Sequence, residues 1–145
     1  MIFITLQEII DDHEEIIRRY GGLSGIRDIG LLASAVEMPK STMFGEYLHP
    51  TVYDQAAAYL YHIVCNHPFL DGNKRTGTMA ALTFLRLNLV YIEFTEEQSM
   101  VLEELVVSTA QSKTTKKQIA KFFRDCFEGK DPSENQSKRK SHVKA

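Results

Sequence analysis

Residues 67 to 75 read His67-Pro68-Phe69-Leu70-Asp71-Gly72-Asn73-Lys74-Arg75, and an apolar helical pattern follows at once, from Thr76 to Leu87. A turn that opens into a helix presents unpaired backbone N–H groups and the positive end of the helix dipole, so it favours an anion. This turn also holds an aspartate, which can bind Mg²⁺, and an arginine, which can contact two phosphate oxygens at once. The stretch therefore predicts a site for a nucleotide polyphosphate at the start of a helix.

The helix that opens at this turn is predicted over about Asn73 to Leu87. It is apolar on most of its sides, which is typical of a helix at the centre of a fold. Other helix starts are marked by residues that can cap them, and three are capping boxes with Glu or Gln three residues after a threonine. The predicted starts are Thr5, Asp28, Thr51, Thr95 and Thr115. The sequence thus predicts an all-α fold, a compact bundle of about six helices around a central buried helix.

The stretches outside the helices are predicted to be irregular. Residues 40–49 have no clean period and are expected to form a loop or a small flap, while residues 89–94 could form one short extended piece. Residues 1–129 are predicted to be one domain. Residues 130–145 lack apolar anchors and are rich in Ser, Lys and acidic residues, which predicts a disordered basic tail.

Size and composition narrow the classes of protein. With 145 residues, 43% of them apolar and 25% charged, the chain is long enough for a single buried core. A net charge of −2 gives no general reason to expect nucleic acid as a partner, and a basic tail such as Lys138-Arg139-Lys140 is more often solvated than bound. The longest apolar stretch is broken by Arg86 and Asn88, so no membrane span is expected.

The N-terminus and the cysteines bear on the cellular compartment. Met1-Ile2-Phe3-Ile4 lacks the basic start and the cleavage site of a signal peptide. Cys65 and Cys126 lie in helical apolar patterns and are expected to be buried free thiols, with a disulfide unexpected. These features predict a cytoplasmic protein.

Each polar side chain of the turn has a functional and an ordinary interpretation. His67 could accept a proton from an attacking hydroxyl, whereas a lone histidine is usually structural or exposed. Asp71 could bind Mg²⁺ or simply cap the helix that follows. Lys74 and Arg75 could be a solvated face, but cations at a helix start are disfavoured by the dipole, and a bound anion would offset that cost. The ordinary interpretation is given to the other histidines, which are His13, His49, His62 and His142.

Other nucleotide and metal signatures are missing from the sequence. It has no Gly-x-x-x-x-Gly-Lys-Ser/Thr loop, no Gly-x-Gly-x-x-Gly after a strand, no His-Glu-x-x-His and no Cys-x-x-Cys. Hydride transfer and zinc hydrolysis are therefore not expected.

The nine residues from His67 to Arg75 resemble the signature of the Fic/Doc family, His-x-Phe-x-Asp/Asn-Gly/Ala-Asn-Gly/Lys-Arg. Residues 20–23, Tyr-Gly-Gly-Leu, and residues 25–32, Gly-Ile-Arg-Asp-Ile-Gly-Leu-Leu, are similar to a segment of its Doc ("death on curing") branch. The resemblance extends over the helix order from about Ile4 to Phe127. Two positions depart from the usual Fic pattern: Lys74 stands where most Fic enzymes have glycine, and Thr78 stands where they have a second arginine.

The resemblance implies an activity and roles for the residues of the signature. Fic enzymes generally transfer AMP from ATP to a protein hydroxyl, whereas Doc-like members, with lysine in place of the glycine, bind ATP reversed and transfer its γ-phosphate. By the resemblance, His67 would deprotonate the target hydroxyl and Asp71 would hold Mg²⁺. The phosphates would be bound by Gly72, through its backbone, and by Asn73, Lys74 and Arg75.

The resemblance also implies partners. The Doc target is a threonine of translation factor EF-Tu, and its modification arrests protein synthesis. Self-silencing Fic proteins carry Ser/Thr-x-x-x-Glu-Gly/Asn, but here Thr42-Met43-Phe44-Gly45-Glu46 is followed by Tyr47. A separate antitoxin that donates a helix to a groove near the site is therefore expected. The leading hypothesis is a toxin kinase of a toxin–antitoxin pair; the alternatives are an AMP transferase and a dormant Fic-fold module that only binds partners.

Overall fold

The computed structural model describes residues 1–130, which form six α-helices and one short β-hairpin. The prediction of an all-α bundle of six helices is confirmed. The helices are α1 (Leu6–Tyr20), α2 (Ile29–Glu37), α3 (Val52–Asn66), α4 (Asn73–Leu87), α5 (Glu96–Ala110) and α6 (Lys116–Phe127). No helix within these 130 residues is long and apolar enough to cross a membrane. The predicted disordered tail, with its basic run, lies outside the described residues from position 131 onward.

Local capping defines where the helices begin. Thr5, Thr95 and Thr115 are the N-caps of α1, α5 and α6, each in a complete capping box, as predicted. Thr51 heads a fourth box that was not predicted, because its partner at the third helical position is Asp54 rather than Glu or Gln. Such a cap typically contributes about 1 kcal/mol to helix stability. The helix starts are thus encoded within four residues of sequence.

The centre of the bundle is α3 rather than α4. Along its length α3 packs against α2, α4, α5 and α6, and the segment from Ala56 to Leu60 has no solvent exposure. The three alanines at 56–58 let neighbouring helices approach closely, and Tyr59 and Leu60 are among the largest fully buried side chains. Helix α4 lies along α3, and the two helices are close at Gly77, where an added Cβ would lie 3.2 Å from the Leu60 carbonyl oxygen. The prediction that α4 is central was wrong, because one face of α4 stays open to solvent.

The flap predicted within residues 40–49 is a two-stranded antiparallel hairpin, β1 (Thr42–Met43) and β2 (Glu46–Tyr47), preceded by a 3₁₀ turn at Met38–Lys40. Its tip, Phe44, is 99% exposed. Residues 89–94 pair with no strand in the described chain, but their even-numbered side chains Val90, Ile92 and Phe94 pack on the core. The hairpin agrees with the predicted flap, whereas residues 89–94 begin with a left-handed turn residue, Leu89 (φ 67°), and form no strand with the described chain.

Candidate active site

The predicted signature spans the connection between α3 and α4 and the first residues of α4, and it begins with a strained backbone. His67 is the C-cap of α3 and adopts left-handed geometry, with φ 50° and ψ 53°. Residues other than glycine adopt this region rarely and at an energetic cost. Pro68 disfavours helical geometry at His67, as predicted. The helix therefore ends at the histidine and turns its side chain away from the axis of α3.

A second segment of the chain holds the signature in place. Residues 25–28 run antiparallel to it, with an isolated β-bridge between Ile26 and Phe69. The Leu70 N–H donates to the Gly25 carbonyl at 3.1 Å, and the Asp28 N–H donates to the Pro68 carbonyl at 3.0 Å. The two stretches that carry the family resemblance thus pair with each other in space, across about forty residues of sequence.

Asn73 clamps the turn from inside. Its side-chain oxygen accepts the Phe69 N–H at 2.9 Å, its amide donates to the Phe69 carbonyl at 3.0 Å, and its Nδ2 lies 3.1 Å from Nδ1 of His67. The residue is only 5% exposed. The hydrogen-bonding groups of its side chain are therefore used by the loop and the histidine ring. Only the backbone N–H of Asn73 is available to bind a phosphate.

The Asn73 contact bears on the proton of the His67 ring. An amide NH₂ can only donate, and Phe69 fixes the amide orientation, so Nδ1 of His67 accepts in this arrangement. A neutral ring then carries its proton on Nε2. A base acting through Nε2 needs the other tautomer, in which Nδ1 carries the proton and no longer accepts a hydrogen bond from Asn73.

His13 of α1 contacts the same turn from the protein core. Its ring stacks on Phe69 at 3.8 Å with 7° between the planes, and its Nε2 lies 2.8 Å from the Asp71 carbonyl oxygen. The side chain is buried, so the structural interpretation given to this histidine is correct. The contact with the signature was not predicted. The one sequence signal for it is the spacing of Ile9, His13 and Ile16 on a single buried face of α1.

Asp71 does not cap α4. The N-cap is Gly72, with φ 77° and no side-chain hydrogen bond to the first turn. The Asp71 carboxylate instead accepts the Gly72 N–H at 2.9 Å and the Leu23 N–H at 3.3 Å, and the residue is exposed. Capping, the ordinary interpretation of Asp71, is therefore wrong. An exposed carboxylate held by two backbone N–H groups fits the single protein ligand that Mg²⁺ often takes beside substrate phosphates.

The start of α4 is a free anion-binding end. Among the described residues, the backbone N–H groups of Asn73, Lys74 and Arg75 have no hydrogen-bond partner. The Lys74 and Arg75 side chains are exposed, and the Arg75 guanidinium lies 4.1 Å from the ring centroid of Tyr20. Stacking uses the face of the guanidinium and leaves its edge donors for an anion. Thr78 directs its hydroxyl back to the Lys74 carbonyl, at 2.8 Å.

These groups open into one large groove of about 1640 Å³ between α4, α5 and the end of α3. The signature contributes all five polar positions predicted for the site, together with the backbone of Gly72. Apolar side chains line the groove, including Val64, Met79, Leu82, Leu102 and Val106. The charged lining differs between the helices: α4 contributes Lys74, Arg75 and Arg86, whereas α5 contributes Glu96, Glu103 and Glu104. The groove is therefore apolar within and oppositely charged on its two walls.

The two cysteines differ in environment. Cys126 is buried, and burial raises the pKa of its thiol to about 12. Cys65 is exposed and lines the groove, so the prediction that it is buried was wrong. It lies in the last turn of α3, where the core ends and the groove begins. Both thiols are free, as predicted.

A separate polar cluster lies away from the signature. The Lys116 ammonium is 3.0 Å from Nε2 of His49 and 3.1 Å from Nε2 of His62. Burial and the neighbouring ammonium lower the pKa of His62 to about 4 and also lower the pKa of His49. Both histidines are therefore neutral at pH 7 and can accept hydrogen bonds from the lysine.

An anion-binding helix start with a histidine and a carboxylate beside it is the kind of site that transfers phosphate-containing groups. The chain belongs to the Fic/DOC family, which its residues 3–85 match. It is similar to a Toxin Doc of Mycolicibacterium smegmatis, with 45% identity over 73 residues that cover 50% of this chain and 56% of the relative. It is also similar to a Protein kinase doc of Escherichia phage P1, with 32% identity over 127 residues that cover 88% of this chain and 97% of the relative.

Proposed function

We propose that this protein is a Doc-like toxin that transfers the γ-phosphate of ATP to a serine or threonine hydroxyl of a target protein. One observation carries the proposal: His67 and the Asp71 carboxylate lie beside the start of α4, where three backbone N–H groups have no partner and two cationic side chains are exposed. A relative named as a protein kinase aligns over nearly the whole chain, which supports the same activity.

Each residue of the signature has a role in this proposal. The attacking hydroxyl oxygen forms a bond to the γ-phosphorus while the bond from that phosphorus to the bridging oxygen breaks and ADP leaves. His67 takes the hydroxyl proton on Nε2, in the tautomer with the ring proton on Nδ1. Asp71 would hold Mg²⁺, which neutralises phosphate charge when bound.

Phosphates would be bound by the start of α4. The backbone N–H groups of Gly72 and Asn73 and the side chains of Lys74 and Arg75 can supply the donors. Because the Gly72 N–H already donates to Asp71, its contribution is a bond shared with that carboxylate. Positioning and charge neutralisation of this kind account for most of the catalysis of phosphoryl transfer.

Phosphate transfer is favoured over AMP transfer by two positions of the helix. Lys74 adds a cation where AMP-transferring relatives of the Fic type have glycine. Thr78 replaces their second arginine, and its hydroxyl is bound within the helix rather than free for a phosphate. AMP transfer is the alternative activity, since the same site could hold ATP in the opposite direction.

The groove supports an antitoxin helix as partner. Its apolar lining can accept the apolar face of an amphipathic helix, and its oppositely charged walls would set the direction and register of that helix. Such a helix would cover His67 and block the active site. We propose translation factor EF-Tu as the target and the cytoplasm as the compartment, where ATP, Mg²⁺ and the translation machinery are all present.

The proposed activity is tested with ATP labelled at either its α- or its γ-phosphate, incubated with the protein and a bacterial lysate. The γ label is expected on a protein and the α label is not. His67→Ala is the matched control and should reduce labelling to a small residual rate.

Two other outcomes separate the alternatives. The α label on a protein would establish AMP transfer instead. A dormant binding module is the second alternative, and it predicts equal growth arrest by the wild type and by His67→Ala.

A further inference from the structure

The segment before α2 carries an arginine whose donors converge on the signature. Nε of Arg27 donates to the His67 carbonyl at 2.6 Å, and Nη2 donates to the Asn66 carbonyl at 2.9 Å. The backbone N–H of Arg27 donates to the Pro68 carbonyl at 2.7 Å. One residue therefore satisfies three consecutive carbonyls, across the end of α3 and the first two residues of the signature.

These carbonyls need an external partner. Helix α3 ends at Asn66, so the last carbonyls of the helix have no intrahelical donor, and Pro68 brings no N–H to the turn. A guanidinium at this end also meets the negative end of the helix dipole. Among residues 1–130, Arg27 forms no ion pair with a carboxylate. Its charge is therefore directed to the backbone of the signature.

The backbone that Arg27 holds is the one under strain. His67 has left-handed geometry, and its carbonyl direction is fixed by the 2.6 Å bond from Arg27. On the other side, Asn73 holds the imidazole through Nδ1. In the tautomer with the proton on Nε2 the ring thus has two fixed points. In the catalytic tautomer Nδ1 carries the proton and no longer accepts from Asn73, so the backbone bond from Arg27 is the contact that remains. If the backbone bond is lost, the peptide can relax toward a less strained φ, and this rotation would carry the ring away from the start of α4.

We propose that Arg27 is a positioning residue that holds His67 in the orientation required for catalysis. The inference rests on the proposed function of His67, and it adds a residue outside the signature to the machinery. Arginine is required because its planar fork reaches two adjacent carbonyls at once, which a lysine ammonium on a flexible stem does not reproduce.

A double-mutant cycle tests the proposal. Arg27→Met is made in the wild type and in His67→Ala, and kcat, the KM for ATP and Tm are measured for all four proteins. In the wild type, kcat should fall about 10- to 100-fold with the KM for ATP within about twofold, because a misplaced group loses rate rather than nucleotide binding. In His67→Ala the residual rate should not fall further, whereas Tm should fall equally in both backgrounds.

Two further variants test whether the geometry of the Arg27 side chain, rather than its positive charge or the loss of any arginine, determines kcat. Arg27→Lys keeps the charge but loses the fork, and it should recover only part of kcat. Arg18→Met removes an exposed arginine of α1 that lies outside the groove, and it should leave kcat unchanged. Equal losses of residual rate in the wild type and in His67→Ala would overturn the positioning role.

The ring itself provides a readout that does not depend on transfer. In protein labelled with ¹⁵N at histidine, the His67 ring resonances should shift in Arg27→Met and stay in place in Arg18→Met. Unchanged His67 resonances in Arg27→Met would overturn the inference. If the His67 resonances shift in Arg27→Met but the wild type shows no transfer activity, the proposed function is refuted, while the contact by which Arg27 orients His67 is supported.

Discussion

Gly22→Ala should displace the Asp71 carboxylate and weaken Mg²⁺-dependent nucleotide binding, while it lowers the Tm no more than a matched control substitution does. A Cβ added at Gly22 would lie 2.6 Å from Oδ2 and 3.1 Å from Cγ of Asp71. To reach an ordinary contact of 3.4 Å, the carboxylate oxygen must move by about 0.8 Å. Mg²⁺ requires near-ideal geometry at ~2.0–2.1 Å from its ligands, so this displacement should weaken Mg²⁺-dependent nucleotide binding.

Gly21→Ala is the matched control. Gly21 also has a left-handed φ, 82° against 111° at Gly22, but nothing lies within 4 Å of its added Cβ. Both substitutions should cost about 1–3 kcal/mol in backbone strain. Each kcal/mol corresponds to roughly 4 °C in Tm for a domain of this size. Both variants should therefore lose similar Tm, and only Gly22→Ala should lose the affinity for the nucleotide with Mg²⁺.

The assay is titration calorimetry with a non-hydrolysable ATP analogue, with and without Mg²⁺. Disturbed support of a metal ligand typically costs about 10- to 100-fold in affinity, which is about 1.4–2.8 kcal/mol. Gly22→Ala should show this loss only with Mg²⁺, and Gly21→Ala should bind within about threefold of the wild type. Equal affinities of the two variants with Mg²⁺ would refute the assignment of Asp71 as the metal ligand.

Three further predictions concern the groove, the core and the histidine cluster. Tyr20→Ala should raise the KM for ATP about two- to fivefold, since it removes a stacking partner of Arg75 worth ~0.5–1 kcal/mol, whereas Tyr20→Phe keeps the ring and should match the wild type. Gly77→Ala should destabilise the fold by about 1–3 kcal/mol in urea unfolding, because its Cβ would overlap α3. The pKa of His62 is about 4 in the folded state and near 6.5 in the unfolded chain, so between these values only the unfolded chain binds a proton at this residue. The contribution of His62 to the unfolding free energy should therefore fall by about 1 kcal/mol between about pH 7.5 and about pH 5. His62→Gln, which still accepts a hydrogen bond from Lys116, should reduce this pH dependence.

Each of these predictions has a contradicting result. If Tyr20→Phe raised the KM as much as Tyr20→Ala, the phenol hydroxyl rather than the stacked ring would be the important group. An unchanged urea midpoint in Gly77→Ala would show that α3 and α4 can separate without cost. The histidine argument fails if His62→Gln keeps the full loss of stability at acidic pH.

The parts of the fold that were predictable are those encoded locally. A helix start depends on one side chain and the two or three backbone N–H groups after it, so Thr5, Thr95 and Thr115 could be identified as caps without any tertiary information. The boundaries of α4 were predicted at about Asn73 and Leu87 from the apolar run that follows the turn, and the helix spans Asn73–Leu87. Residues near in sequence determine these features.

What could not be predicted depends on contacts between distant residues. The position of α3 at the centre follows from helices on several sides of Ala56–Leu60, which the pattern of one helix does not reveal. The exposure of Cys65 depends on where α5 passes the end of α3. His13 touches Asp71 across 58 positions, and Arg27 reaches His67 across 40. A candidate site could be predicted from its signature, but its supporting residues required the structure.

The mass of the modified target tests the central claim most directly. The protein is incubated with ATP, Mg²⁺ and a bacterial lysate, and the peptides are compared with those from a His67→Ala reaction. The account predicts a serine or threonine that gains the mass of one phosphate with the wild type, and only a small residual amount of this phosphopeptide with His67→Ala. A hydroxyl that gains the mass of AMP, or a phosphopeptide produced by His67→Ala in the same amount as by the wild type, would contradict it.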